Sequence, residues 1–559
     1  MSSLREPHLG PIVGHTTDHS CRLWIRALDS GDRRGDLADD RRTIGVLAVM
    51  AEGGRDFAVA ARPVFYFRLR REYDRTGTFN LGEDLSLGGQ GEPFRLKPDT
   101  EYRVRIATMS TDDPLPNEED LDAATLATRL PPPDVWRPEF DRPAMAADKC
   151  EAVFRTFKAL TAPDNELSFL LGSCRYPGIL FQEREADQIF TPMLTEAEGR
   201  DGRGPARFAL MVGDQVYADL LNRLIPIGRA DTFVEFQERY HAAWGSASMR
   251  KLLRHVPSYM ILDDHEIEDN WSQDRVRREP GRGLYLHAIR AYLSYQWSHG
   301  PRTWYGPIYY TFECNGYPFF VLDTRTQRYT VSADDEDRDL SDNHLLGRPP
   351  LDPNEPTQLT RLLAWLTRQQ QLVGTAPKFV ATPSVFVPND VGTIKSDAKK
   401  LKDDSWPAYP ETRRALLEHM VKGGIQNVVF LSGDIHCSNV AAMRFKGPGG
   451  AAALKAASIT SSAFYWPFPF ADGNPADYVH DSTDKRTPDT FKISKNGATA
   501  MDYTAWGFTQ EDNFCRIDVD QARHRLVVHA FDWRGNRVQQ EDLAGRRQDL
   551  ISELDLAPW

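Results

Sequence analysis

The segment RFALMVGDQVYAD, Arg207 to Asp219, decides how this chain is to be read. An apolar run closes on Gly213-Asp214, the pattern of a buried strand that ends in an acid. A carboxylate projecting beyond a strand end can bridge two cations through its two oxygens, and Asp214 is the candidate bridge. Tyr217 follows in the same loop and can bend back toward the same ion. A phenol of ordinary pKa about 10 binds as phenolate only to a strong Lewis acid, such as ferric iron. Without a metal, Asp214 would be a helix cap and Tyr217 an aromatic packed on the loop.

The same pattern recurs on both sides of this segment. LSFLLGSC ends at Cys174, SYMILDD at Asp264, KFVATPS near Ser384 and NVVFLSGD at Asp434, with helix-like stretches between them. That is the layout of an α/β domain, in which ligands gather beyond the carboxyl ends of the strands. Cys174 serves as a thiolate ligand, a nucleophile or a small buried apolar residue. Arg175 beside it suits a clamp on phosphate oxygens, or a surface salt bridge.

In DDHEIEDNW, Asp264 is a hard oxygen ligand for a second ion, and His265 can protonate a leaving oxygen or stabilise phosphoryl charge. Asp263 and Asp264 point in opposite directions if the strand runs through both, so only one need face the site. Asn270 and Trp271 read as structural. In SGDIH, Asp434 and His436 alternate, so an extended backbone would send both to the same side.

The first 130 or so residues follow a different rule. CRLWIRA, TIGVLAVMA, PVFYFRLRR and EYRVRIATM alternate as half-buried strands, which predicts a small sandwich. Tyr102, opening a strand after a turn in KPDTEYRVRIAT, resembles an immunoglobulin or fibronectin III strand end. The expected organisation is a β-sandwich accessory domain over 1–132, an irregular connector over 133–166 that opens on prolines, and an α/β catalytic domain over 167–559. Two hairpins, IYYTFEC/YPFFVLD about Asn315-Gly316 and FCRIDVD/RLVVHAFD, are expected toward sheet edges. GPGGAAALKAA reads as a flexible loop. SSAFYWPFPF, Ser461 to Phe470, would be a lid over the site or a packed loop.

Composition bounds the function. The 559 residues exceed one core, and 41% hydrophobic with 26% charged residues is a globular balance. A net charge of -12 argues against sequence-specific or general nucleic-acid binding, which needs a basic surface. The six cysteines form no C-x-x-C pair, so a structural zinc knot is not expected. No apolar run is long enough to span a bilayer, and the start lacks a signal-peptide pattern. The chain as it stands reads as cytoplasmic and reduced, export remaining open had a leader been removed. Its oligomeric state is not legible.

Taken in order, GSC, GDQVYAD, DDHE and SGDIH resemble the PhoD-like alkaline phosphatases of the metallophosphoesterase superfamily, from about Ser168 to Asp532. The N-terminal sandwich is similar to that family's accessory domain. The resemblance implies a four-layered αββα core and a centre of two or more metal ions, iron and calcium, with other divalent ions possible. Its ligands would be Cys174, Asp214, Tyr217, Asp264, Asp434 and His436, the cysteine and tyrosine on iron, with His265 as the substrate-side histidine. The chain departs from the broader superfamily where D-x-H of the first strand is S-C-R, and where FVATPSVFV, with Thr382 and Ser384, lacks the middle histidine ligand. The tripeptide Asp323 to Arg325 also resembles a family feature, without an assigned role. The activity implied is hydrolysis of phosphate mono- or diesters through in-line attack by metal-bound hydroxide. Its rivals are a thiol hydrolase built on Cys174 and His265, and a non-enzymatic binding protein with structural metals.

Overall fold

The computed structural model describes residues 4–559 apart from 29–40, 51–56, 58–62, 88, 90–91, 115–127, 129, 144, 146, 161–165, 179–182, 201, 221–227, 304–305, 331–338, 353, 396–404, 469–474, 487 and 542–544. Near the N-terminus, strands Leu9–Thr16, Cys21–Arg26 and Thr76–Leu81 form a three-stranded antiparallel sheet. Strands Val64–Arg68, Arg41–Val49, Glu101–Pro114 and Glu151–Arg155 form a four-stranded one. Cys21, Leu23 and Ile25 of the first meet Leu47, Val104 and Phe154 of the second in one core, which makes a sandwich. The backbone N–H of Lys97 donates to the Tyr102 hydroxyl at 2.8 Å, tying the turn to the strand that Tyr102 opens.

One expectation changes here. The stretch 133–166 is not irregular throughout, because Glu151–Arg155 pairs with Glu101–Pro114, Phe154 opposite Tyr102. Ala152 and Phe154 alternate inward, but five residues are too short a run to stand out against the surrounding polar sequence. Trp136 and Phe140 from the same stretch pack into a second core with Ile44, Val46 and Ala107.

The large domain holds two facing sheets. The six-stranded one runs Ser258–Ile261, Ala209–Val212, Leu167–Gly172, Asn513–Asp520, Arg525–Asp532 and Ile551–Asp555, its first three strands parallel. The eight-stranded one runs Tyr310–Cys314, Tyr317–Val321, Lys378–Ala381, Val428–Ser432, Lys455–Thr460, Ser438–Lys446, Ala500–Thr509 and Phe491–Lys492. The period of two explains the layering. Phe379, Val429 and Leu431 enter the core between the sheets, while Val380, Val428 and Phe430 enter the one beneath helices Gln358–Val373 and Pro410–Gly423. Helices Phe190–Glu198, Phe233–Gly245, Ala247–Leu253 and Gly281–Tyr295 contribute Phe190, Phe236, Met249 and Ala288 to the core of the six-stranded sheet. The order helix, sheet, sheet, helix is the expected αββα arrangement.

The hairpin about Asn315-Gly316 lies at the edge of its sheet, as expected. The other does not: Asn513–Asp520 pairs with Leu167–Gly172 near the middle of the six-stranded sheet. Its Phe514 on one face and Ile517 and Val519 on the other are buried in the large core, and that burial on both faces draws the hairpin inward. The sandwich abuts the large domain, with Leu9, Ile12 and Trp24 in the same core and Trp24 Nε1 donating to the Ser294 carbonyl at 2.9 Å. Among the described residues, no helix is long and apolar enough to cross a membrane.

Candidate metal centre

Strands Leu167–Gly172, Ala209–Val212, Ser258–Ile261, Tyr317–Val321 and Val428–Ser432 end toward one place, and each hands over to a loop with a chemically active side chain. Two glycines let these loops approach. A Cβ on Gly213, whose φ is +107°, would lie 2.4 Å from the Asp263 Cβ, and one on Gly433 would lie 2.2 Å from Ser173 Oγ. Four neighbouring non-glycine residues hold left-handed backbone: Cys174 (φ 58°), Asp214 (φ 57°), Asp434 (φ 72°) and His436 (φ 52°). Such conformations are costly for L side chains and concentrate where a site is over-determined by its surroundings. Glu266 supplies part of that determination. Its carboxylate accepts from the backbone N–H groups of Asp214 (3.0 Å), Gln215 (2.8 Å), Val216 (3.3 Å) and Asp263 (2.8 Å), clamping two loops together.

Within this frame, carboxylate oxygens of Asp214, Asp263, Asp264 and Asp434 all lie within 4.8 Å of one another, and His265 completes a similar group with Asp214 and Asp264. Cys174 Sγ sits 3.5 Å from Asp214 Oδ2, and the Tyr217 hydroxyl 3.4 Å from His436 Nε2. The Tyr217 ring stacks on His265 at 4.2 Å between centroids, and Trp466 stacks on His436 at 3.6 Å. Among the described residues one guanidinium lies among the acids: fully buried Arg325 pairs with Asp263 through Nε, while its Nη2 lies 3.3 Å from Asp264 Oδ1 and 3.5 Å from Asp434 Oδ1.

One guanidinium cannot neutralise four carboxylates, three of them buried and that of Asp434 half-buried. Asp264 Oδ1 is buried and accepts no hydrogen bond among the described residues. Burial, with Asp264 and Asp263 alongside, pushes the Asp214 carboxyl well above its usual range despite His265. Burial likewise drives the Cys174 thiol and the Tyr217 phenol well up, Asp214 adding to both. Left alone, these groups would hold their protons; cations among them would reverse that, as ions do in sites of this kind. A donor set of hard oxygens with one thiol and one phenol on its flank fits metal ions.

The comparisons with known proteins bear on which family this is. The family model for PhoD-like phosphatases matches residues 196–511, more than half of the chain. The chain belongs to the PhoD-like phosphatase family. It is 25% identical over 217 residues to alkaline phosphatase D of Bacillus subtilis (strain 168), a match covering 37% of this chain and 36% of that protein, so it spans about a third of the relative's length. A solved structure described as "Structure of PhoD" shares the fold, with a TM-score of 0.60 at 17% identity, over 99% of this chain and 89% of that one.

The PhoD-like match contains Asp214, Tyr217, Asp264, His265, Asp434 and His436, while Cys174 and Arg175 lie upstream of it. The structure gathers Asp214, Asp264 and Asp434 tightly, sets Cys174 against Asp214, and places Tyr217 and His436 together beside that cluster. Asp434 and His436 do not reach the site by extended alternation, since both are left-handed in a tight loop. Asp263 and Asp264 both face the centre, because the strand ends at Ile261 and alternation stops there.

Arg175 is 4% exposed, with Nε on Asp187 Oδ1 at 2.6 Å, so it is a buried ion pair rather than a surface one. Thr382 and Ser384 are structural, Ser384 Oγ accepting from Arg328 and Thr382 Oγ1 from Trp406 Nε1. Of the segment 461–470, residues 469 and 470 lie outside the described residues; Trp466 and Phe468 pack with Tyr176 and Tyr217.

Three residues that build the candidate site escaped the sequence reading. Asp219 Oδ1 binds His265 Nδ1 at 2.7 Å, Glu266 clamps the loops, and Arg325 sits among the acids. Asp219 and Glu266 close motifs already singled out, and Arg325 belongs to the tripeptide left without a role.

Proposed function

We propose that this chain hydrolyses phosphate esters with metal ions held by Asp214, Asp264 and Asp434, Cys174 and Tyr217 on one flank and His436 near them. The observation that carries this reading is the set of four carboxylates within 4.8 Å, three buried and that of Asp434 half-buried, opposed by one arginine among the described residues. When bound, the ions would supply Lewis acidity toward phosphoryl oxygens and would make water a stronger acid near neutral pH. Iron on the Cys174 and Tyr217 side, with calcium or another hard divalent ion among the aspartates, matches donor softness to the metal.

The protein's own groups then position and protonate. Burial opposes a charge on His265, but Asp219, Asp264 and Asp214 outweigh it and raise its pKa well above the ordinary value. Asp219 fixes the ring through Nδ1, which leaves Nε2 as the atom that would pass a proton to the leaving oxygen. The Tyr217 ring stacked on His265 limits the tilt of the imidazole. A thiol nucleophile is disfavoured, because burial keeps Cys174 protonated in the absence of a cation.

We assign the chemistry to the αββα domain, within 167–559, and a covering role to the N-terminal sandwich. The test is hydrolysis of a chromogenic phosphate monoester and a diester side by side, after chelation and after restoring iron and calcium. Turnover that returns with metal supports the reading and sets the ester class. A metal-replete protein inert to a broad panel of phosphate esters would favour the binding-protein alternative.

A further inference from the structure

A cavity of about 960 Å³ adjoins the Tyr217 loop, walled by Arg175, Asp187, Tyr217, Arg239, His241 and Lys251. Its charge is one-sided. Among the described residues of these walls Asp187 is the one acid, and it is already engaged by Arg175 Nε at 2.6 Å. His241 is also engaged, its Nε2 lying 3.0 Å from Asp74 Oδ2 and 2.8 Å from the Tyr295 hydroxyl. Arg239 donates to the Gly228 carbonyl and has Glu235 one helical turn back as its nearest opposite charge on that helix, and among the described residues neither Arg239 nor Lys251 forms a salt bridge. Arg239 lies on Phe233–Gly245 and Lys251 on Ala247–Leu253, two packed helices that hold both cations on a rigid frame.

The position of this cavity ties it to the metal centre. Tyr217 forms part of the cavity wall, while its hydroxyl lies 3.4 Å from His436 Nε2, so one aromatic side chain spans from the cavity to the proposed ligands. Arg175 links the same two places, its backbone N–H donating to the Asp214 carbonyl at 2.8 Å and its side chain lining the cavity. Resting on the hydrolase reading, we propose that this cavity is the subsite for a second anionic group on the phosphoester, so that the favoured substrates carry two anionic groups, as a bisphosphate does. Arg175, Arg239 and Lys251 are its cations. A phosphoryl group accepts several charge-assisted hydrogen bonds from such donors, the kind of contact that discriminates a second phosphate from a neutral tail.

The experiment compares α,ω-alkanediol bisphosphates over a series of spacer lengths with the matching monoalkyl phosphates on the metal-loaded protein. Phosphate release gives kcat/KM, and calorimetry gives binding. One spacer length should be preferred over its monophosphate by about tenfold, chiefly through KM, with the preference fading as salt rises. In the double variant Arg239→Gln/Lys251→Gln the ratio should fall toward one. Arg239→Lys/Lys251→Arg, which keeps the charges, should retain most of it. Monophosphate turnover with no bisphosphate preference at any spacer length would overturn the subsite while leaving the hydrolase reading intact. An undiminished ratio in the double glutamine variant would overturn it equally. If no ester is turned over but bisphosphates still bind and depend on Arg239 and Lys251, the subsite stands and the hydrolase reading falls; if they do not bind, both fall.

Discussion

Replacing Arg325 with methionine tests the electrostatic account of the centre, because the change should move two measurements in opposite directions. Arg325 is fully buried, bonded to Asp263 and 3.3 and 3.5 Å from carboxylate oxygens of Asp264 and Asp434. At those separations and an effective dielectric of about 20, each of the two longer pairs is worth roughly 5 kcal/mol of gross attraction. Desolvation offsets much of that, and removing one partner from a buried ion pair typically costs about 3–5 kcal/mol. In chelator, Arg325→Met should therefore lose about 3–5 kcal/mol of unfolding free energy in urea, followed by tryptophan fluorescence. The same substitution removes a positive charge that competes with metal, so affinity for a divalent ion should rise by about tenfold or more, and added metal should recover much of the lost stability. Metal-free stability within about 0.5 kcal/mol of the parent would refute the buried-pair reasoning. A loss of stability accompanied by weaker metal binding would show instead that Arg325 shapes the ligand loops and does not compete with the ions.

Asp214→Asn should abolish metal-dependent ester hydrolysis in a folded protein, and in chelator it should be at least as stable as the parent, since burial and the neighbouring acids already drive the Asp214 carboxyl toward its neutral form; turnover retained with full metal content would remove Asp214 from the bridge. Gly213→Ala places a Cβ 2.4 Å from the Asp263 Cβ at φ +107°, and should cost about 3 kcal/mol while lowering bound metal measured by elemental analysis. His299 lies at the seam with the sandwich, where burial, aided by Arg22, holds its pKa down at about 3. A base depressed in the folded state contributes its full stability above its unfolded pKa of about 6.5 and loses it as pH falls toward 3. Relative to His299→Phe, the parent should therefore lose on the order of 4 kcal/mol between those limits, and parallel stability curves would remove His299 from the acid response.

The large domain was legible because a strand that ends in an acid is a local pattern. Apolar runs such as ALMV and VVFLS announce burial on both faces, and Asp214, Asp264 and Asp434 stand two or three residues beyond their strands. The strand Glu151–Arg155 was not legible, since its membership of the first sheet depends on a partner some fifty residues earlier in the chain. The inward hairpin Asn513–Asp520 escaped for the same reason: strand order in a sheet is a non-local property.

For the centre, the division follows from what a motif encodes. Residue type and spacing singled out Cys174, Asp214, Tyr217, Asp264, Asp434 and His436 as candidates, while the complete ligand set and the αββα frame were what the family resemblance implied. They could not say that Asp263 also turns inward, that Glu266 clamps two loops or that Asp219 holds His265. Nor could they place Arg325, more than sixty residues beyond Asp263 in the chain, among the acids. Tertiary structure decided these because charge compensation and backbone capping act through space over a few ångströms, and only the folded chain brings five strand ends within that range.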